Sequence, residues 1–519
     1  MSYFSVRFTC IIVILLTTSE LFAQSQRYIK KGLKAESEQQ YSKAIKHFTK
    51  AIRKDPQNFQ GYFHRGRMRH IQNDLSGAIS DYTLAVEKTE TEKNSIYFNR
   101  ALVKLDLEDY KGAIEDNSLA LKFKSKNAEA LLNRGIAYSL VKNYKNAVRD
   151  FSAALTFNPD NPKIYDSRAF AFDNLGNLEQ AKQDYLKAME LNPKLNRYLD
   201  IGVIYDKLGD YENALIAFSK CIEINKQDTT AFFNRSQVKF MLKDIDGALS
   251  DISEAIRMDS SFAPGYYHKG YLNYSSGNYQ QAISDFTKVV ELNPQDEFSY
   301  YNRGNTWAKL NDFKKAIEDY SKAIDMLPLE VANNPNATVM ETAFYYDRSV
   351  AKHVIDDNEG AIQDITIALE KSPLDNIAYH QRAYYQFVLK LYDKAIIDIR
   401  KAIELAPDNI DHMQVFAQIL LVSGQYDSAF QISINALSHV SDTDIQTKST
   451  VLFVICASGK ILGKNINSYE SALNLCLAQD FAFPSIMSFK YFRESLNKLP
   501  KSTQEYLQNI INRLEQKIK

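Results

Sequence analysis

Nine times along this chain a cation stands sixteen residues before an aspartate: Arg65 and Asp81, Arg100 and Asp116, Arg134 and Asp150, Arg168 and Asp184, Arg235 and Asp251, Lys269 and Asp285, Arg303 and Asp319, Arg348 and Asp364, Arg382 and Asp398. A guanidinium is a planar fork that takes a carboxylate through two parallel hydrogen bonds, which suits an internal ion pair. A row of arginines could also wait for an acidic ligand. Three departures separate the readings. Ile201 goes with Ala217, Phe416 with Ile432, and Lys31 with His47. Where the cation is lost, the anion is lost with it. Had each aspartate served the next arginine along the chain, Asp184 would face Ile201 and Asp398 would face Phe416. Pairing within one segment strands no carboxylate, so these residues are read as structural ion pairs.

Other chemistry is not written in recognisable form. No glycine-rich phosphate loop, HExxH, GxSxG or paired-cysteine motif occurs. The eight histidines show no i, i+4 pair that would make a metal face. No catalytic, cofactor-binding or metal-binding residue is named, no cofactor is expected, and the chain is read as not an enzyme. The 63 basic residues balance 63 acidic ones, so the basic footprint of a nucleic-acid partner is missing.

Holding residues sixteen apart face to face needs a regular element. Hydrophobic residues make up 45% and aromatics 12%, with only 18 Gly and 12 Pro, which favours an ordered helical protein. A small residue next to the cation position recurs as Gly32, Gly66, Ala101, Gly135, Ala169, Gly202, Ser236, Gly270, Gly304, Ser349, Ala383 and Ala417. The steps are 33 to 35 residues, with one of 45. Twelve residues after each stands an alanine, from Ala44 and Ala78 to Ala395 and Ala429. Small side chains at matching places on two helices let their backbones approach. In residues 300–328, Tyr300, Gly304, Trp307 and Ala308 share one helical face, and Phe313, Ala316, Ile317, Tyr320 and Ile324 share another. Asn311 and Asp312 break the pattern and can cap the second helix, as Asn73 with Asp74 and Gly209 with Asp210 do elsewhere. Pro159, Pro193, Pro294, Pro328, Pro373 and Pro407 close their repeats. The repeat is helix, turn, helix.

This pattern resembles the tetratricopeptide repeat family, with a period of 34, a small residue at position 8, alanine at 20 and an aromatic at 24. The resemblance covers residues 24–443 as twelve repeats. It implies an all-α fold, a right-handed superhelical solenoid of stacked hairpins whose concave face is lined by the first helices. It also implies that positions 2, 5, 9, 12 and 13 of each first helix face the groove. That gives Phe63, Phe98, Leu132, Leu199, Phe233, Tyr267, Tyr301 and Tyr346 at position 5, with Tyr271, Asn305 and Tyr384 at position 9. The same aromatics could instead be core. Some co-chaperones of the family clamp a C-terminal carboxylate, but only Asn99, Asn133, Asn234 and Asn302 match part of that clamp, and no repeat has Lys at position 5.

Residues 1–23 read as a signal peptide: Arg7, an apolar run from Phe8 to about Leu16, and Ala23 before Gln24. The run is too short for the ~20 residues of a spanning helix, although an uncleaved anchor is the alternative. The expected destination is the periplasm, cell envelope or exterior. Cys221, Cys456 and Cys476 have no metal spacing, and a Cys456–Cys476 disulfide competes with buried free thiols. The long step of 45 residues places an Asn/Pro-rich loop insertion near 329–339, which lengthens a turn or contacts a partner. Residues 444–519 read as a divergent helical cap, with helices near 445–463, 468–479, 484–497 and 502–518, Ala472 as a candidate small residue, and a separate binding module as the alternative. The function expected is a non-enzymatic scaffold binding peptide or protein segments. The competing readings are a structural spacer or self-assembling element, and an enzyme housed in 444–519, a segment without histidine.

Overall fold

The computed structural model describes residues 2–327, 335–441, 443–478, 496, 499 and 501–515, with side chains from Glu20 onward except at 335–338 and 514–515. Among the described residues there are 27 helices and no strand. They fall into two compact units, Met1–Asp251 and Ile252–Lys519. Among the described residues no helix is long and apolar enough to cross a membrane.

Each repeat folds as a hairpin for local reasons that recur. In the repeat around Gly304 the helices are Glu297–Lys309 and Phe313–Asp325. Asn311 between them has φ +60°, the left-handed conformation that ends a helix. Asp312 then caps the second helix by accepting the backbone N–H of Lys315 at 3.3 Å. A left-handed residue stands seven positions after the small residue in all twelve repeats, from Gln39, Asn73 and Glu108 to Lys390 and Gly424. Gly463, φ +66°, makes the same turn after the helix Ile445–Ile461.

Packing follows from the small residues. All twelve alanines of the second helices, Ala44 through Ala429, are fully buried. The glycines of the first helices lie against an aromatic sixteen residues on. A Cβ on Gly135 would stand 2.5 Å from the Phe151 ring, and one on Gly304 would stand 2.7 Å from Tyr320. Gly32, Gly66, Gly202 and Gly270 meet Phe48, Tyr82, Phe218 and Phe286 in the same way. Where the first-helix residue is larger, the partner shrinks: Ala101 goes with Asn117, Ser236 with Ile252, Ser349 with Ile365, Ala383 with Ile399, and Ala417 with Ser433. Ala169 with Tyr185 is the exception. Within each unit, consecutive helices pack together, as Glu297–Lys309 with Phe313–Asp325, and successive first helices also touch, as Phe59–Ile71 with Lys93–Asp106.

At the N-terminus, Ser2–Ser37 is one helix. Leu21 and Phe22 are exposed, whereas Ser25 is buried and donates to the Ala51 carbonyl at 3.1 Å. Ser25 is thus the first buried side chain from Glu20 onward.

The sequence expectation for the insertion needs correcting. Residues 328–334 lie outside the described part, but a 20-residue helix, Pro335–Val354, starts where a loop was expected to continue. Proline is at home in the first turn, where its missing N–H costs nothing. In the C-terminal segment the first expected pair is present as Ile445–Ile461 and Asn467–Ala478, followed by Lys501–Glu515. The helix expected at 484–497 lies outside the described residues apart from Leu496. Ile445–Ile461 is more than a capping element, since every residue from Ser449 to Gly459 is buried. A helix apolar on all sides must be enclosed, and Ile410–Val422, Tyr426–His439, Asn467–Ala478 and Lys501–Glu515 pack around it. Leu473, Cys476 and Leu477 are buried there, while Ala472 is half-buried. Cys221, Cys456 and Cys476 are free and buried, and burial pushes the Cys456 thiol up to about 12.

Candidate functional site

In all eight arginine repeats the guanidinium grips the aspartate of its own hairpin through two bonds. Nε donates to one carboxylate oxygen at 2.6–2.9 Å. Nη2 donates to the other at 2.7–2.9 Å. The nine aspartates are only 1–8% exposed. The bond to Asp116 holds the Arg100 guanidinium above its ordinary value, and Asp398 does the same for Arg382.

Sequence reasoning missed the third bond. Nη1 of each arginine donates at 3.0–3.2 Å to a hydroxyl on the second helix of the preceding repeat: Thr49, Thr83, Ser118, Ser152, Ser219, Thr287, Ser321 or Thr366. One side chain thus ties two helices of its own repeat to the one before. The signal was in the chain. The hydroxyl stands two residues after the acid position, and it becomes Leu186 before Ile201 and Arg400 before Phe416, the two later places where the cation is lost. A residue one turn after the cation adds to the grip: Arg69, Lys104, Lys239 and Lys352 reach the same carboxylates at 2.8–3.0 Å. An aromatic one turn before it lies near the guanidinium, as Tyr97 at 5.3 Å from Arg100 and Tyr300 at 5.3 Å from Arg303. The arginine side chains are 13–20% exposed with their forks occupied, so no ladder stands open to an acidic ligand. Lys269 differs, since its ammonium stays 3.8 Å from Asp285.

The groove candidates do not form a free stripe. Phe63, Phe98, Phe233, Tyr267, Tyr301, Asn305, Tyr346 and Tyr384 are half-buried, as are Leu132 and Leu199, while Tyr271 is 42% exposed. Phe63 lies 6.0 Å from Tyr82, and Tyr267 lies 5.9 Å from Phe286. The Tyr267 hydroxyl accepts from Asn302 at 2.8 Å, and the Tyr301 hydroxyl donates to Asp347 at 2.5 Å. Tyr320 donates to Asn305 at 2.7 Å. Tyr384 stands edge-on to His353 at 5.2 Å. Phe63, Tyr267, Tyr301, Asn305 and Tyr384 are thus engaged with neighbouring side chains, and burial raises the Tyr301 hydroxyl and the Asp347 carboxyl above their ordinary values.

Exposed apolar side chains lie elsewhere on the first helices. In the first unit Ile71, Leu140 and Met241 occupy position 13 of their repeats at 50–53% exposure, and Leu107 and Leu208 follow at position 14.

Two histidines nearly one period apart, His380 and His412, meet with their Nδ1 atoms 3.0 Å apart. His412 Nε2 lies 2.9 Å from the Asn376 side-chain oxygen and donates to it, so neutral His412 accepts from His380. Among the described residues no group of three metal donors exists. Burial pushes His380 down to about 4, with His412 adding to the effect, and burial does the same to His64 beside Arg67. The unfolded chain binds these protons near 6.5 and the folded chain only near 4. Stability is therefore complete above pH 6.5 and is lost as pH falls toward 4. Thermal melts from pH 8 to 4 are expected to show that decline. His380→Gln, which keeps a hydrogen-bonding group beside His412, should make it shallower.

Tetratricopeptide repeat models match residues 29–93, 128–161, 162–195, 195–228, 263–296, 298–328 and 377–409. Among solved structures, a tetratricopeptide repeat protein from Parabacteroides merdae is 21% identical, with 48% of this chain and 98% of that one covered at a TM-score of 0.36. Yeast Tom70 is 16% identical over 86% of this chain and 99% of its own, at a TM-score of 0.34. YrrB, described as a TPR protein with an unusual peptide-binding site, is 22% identical over 38% and 96%, at a TM-score of 0.33. The matched repeats span half of the sequence, and the chain belongs to the tetratricopeptide repeat family.

Proposed function

We propose that the chain is a non-enzymatic scaffold that binds segments of other proteins along its first helices. Repeats of this family typically build protein-interaction scaffolds. The observation that carries the reading is a division of labour. The recurrent charges are consumed in holding the stack together, while repeats of the first unit leave an aliphatic side chain exposed at the last turn of the first helix. Neighbouring helices pack ~8–10 Å apart, a spacing at which successive side chains of this row can engage one bound segment. Ile71→Ser, Leu140→Ser, Met241→Ser in one chain should leave the circular dichroism unchanged, because these residues support no core. A partner captured reproducibly from native extract by the parent chain should be lost. Retention of that partner would place recognition elsewhere and reopen the spacer reading, which concentration-dependent light scattering then tests.

We also propose export, supported by the apolar run, by Ala23, and by the burial of Ser25 just after Gln24. N-terminal sequencing of protein from the envelope or exterior should begin at Gln24. A chain beginning at Met1 would contradict cleavage.

A further inference from the structure

The exceptional repeat is the one with lysine. In eight repeats an arginine of the first helix holds the aspartate of the second. Around Asp285 that guanidinium is missing, and the carboxylate has Asn273 at 2.8 Å and the Lys269 ammonium at 3.8 Å. A cavity of about 360 Å³ opens beside it, lined by Tyr266, Ser284, Asp285, Thr287, Lys288 and Glu291. Tyr266 stands three residues before the cation, as does Tyr300, whose ring lies 5.3 Å from the Arg303 guanidinium. The acid and the ring that elsewhere flank an internal arginine thus both face a hollow. At its rim, Glu291 is paired with Lys288 at 3.2 Å and is 58% exposed, so a second carboxylate is within reach of solvent.

We propose that this cavity receives a guanidinium from outside, the arginine side chain of a bound protein segment, with the Asp285 carboxylate as its fork and the Tyr266 ring against its face. Lysine at position 269 is what leaves the place open, since its compact ammonium holds all its donors on one nitrogen and cannot span both carboxylate oxygens as a planar guanidinium does. Burial raises the Asp285 carboxyl, and Lys269 and Asn273 offset this only in part. The arginine's origin in a partner rests on the scaffold reading, whereas the cavity's selectivity can be measured with no partner present.

The probe is N-acetyl-arginine amide, with the neutral isostere N-acetyl-citrulline amide as control, observed by saturation-transfer NMR on the full chain. The arginine amide should show transfer at its δ-methylene and the citrulline amide should not. Lys269→Arg fills the cavity from within, so this variant should bind the arginine amide at least tenfold more weakly, and its thermal midpoint should rise. Asp285→Asn should also abolish transfer. Equal transfer to the parent chain and to Lys269→Arg overturns the proposal, as does no transfer to the parent chain. If the amide binds as expected but a partner segment rich in arginine is retained equally by Lys269→Arg, the cavity stands and the scaffold reading loses this contact.

Discussion

Arg303→Leu is expected to destabilise its compact unit by about 3 kcal/mol, within the range found when one member of a buried ion pair is removed. The change leaves Asp319, 4% exposed, without its fork, and removes the donor to Thr287 of the preceding repeat. Adding Asp319→Leu should recover most of the loss, because an apolar pair of similar volume needs no solvent. The chain already contains two such replacements, Ile201 with Ala217 and Phe416 with Ile432. Urea denaturation with hydrogen exchange over residues 297–325 measures the cycle. Strict additivity of the two losses would show that the residues do not act as a pair.

Gly135→Ala is the second test with a large effect. In an exposed helix alanine is better than glycine by about 1 kcal/mol. At this position the new Cβ would meet Phe151 at 2.5 Å, and neither helix can withdraw without opening contacts to its neighbours. A loss of about 1–3 kcal/mol is expected from this overpacking. Phe151→Ile in the same chain should reverse much of it, since small first-helix residues other than glycine face isoleucine in three repeats. Stabilisation by Gly135→Ala alone would mean that the two helices are free to adjust.

How much was legible in the sequence follows from where each signal is stored. The hairpins were readable because period, capping aspartate and small residues repeat in phase, and the arginine pairs because their losses coincide. The hydroxyl partner was equally encoded, yet it belongs to the preceding repeat and is found only by comparing across the boundary. The aromatics at position 5 were ambiguous for a physical reason: helical spacing tells which face a ring is on, but not whether a neighbouring helix covers it. Tyr301, caught between Tyr320 and Phe344, shows the difference. The helix Ile445–Ile461 could be predicted as a helix but not as a centre, because enclosure on all sides leaves no polar face to orient it. The cavity beside Asp285 was hidden in a substitution that looked conservative.

The most direct test of the account is site-specific photo-cross-linking in native extract, with the reactive residue at Leu140 on the end of a first helix or at Arg149 on a second helix. One reproducible cross-linked partner is expected from Leu140, 50% exposed, and none from Arg149, whose side chain is 64% exposed. The same partner cross-linking from Arg149 and not from Leu140 would contradict it.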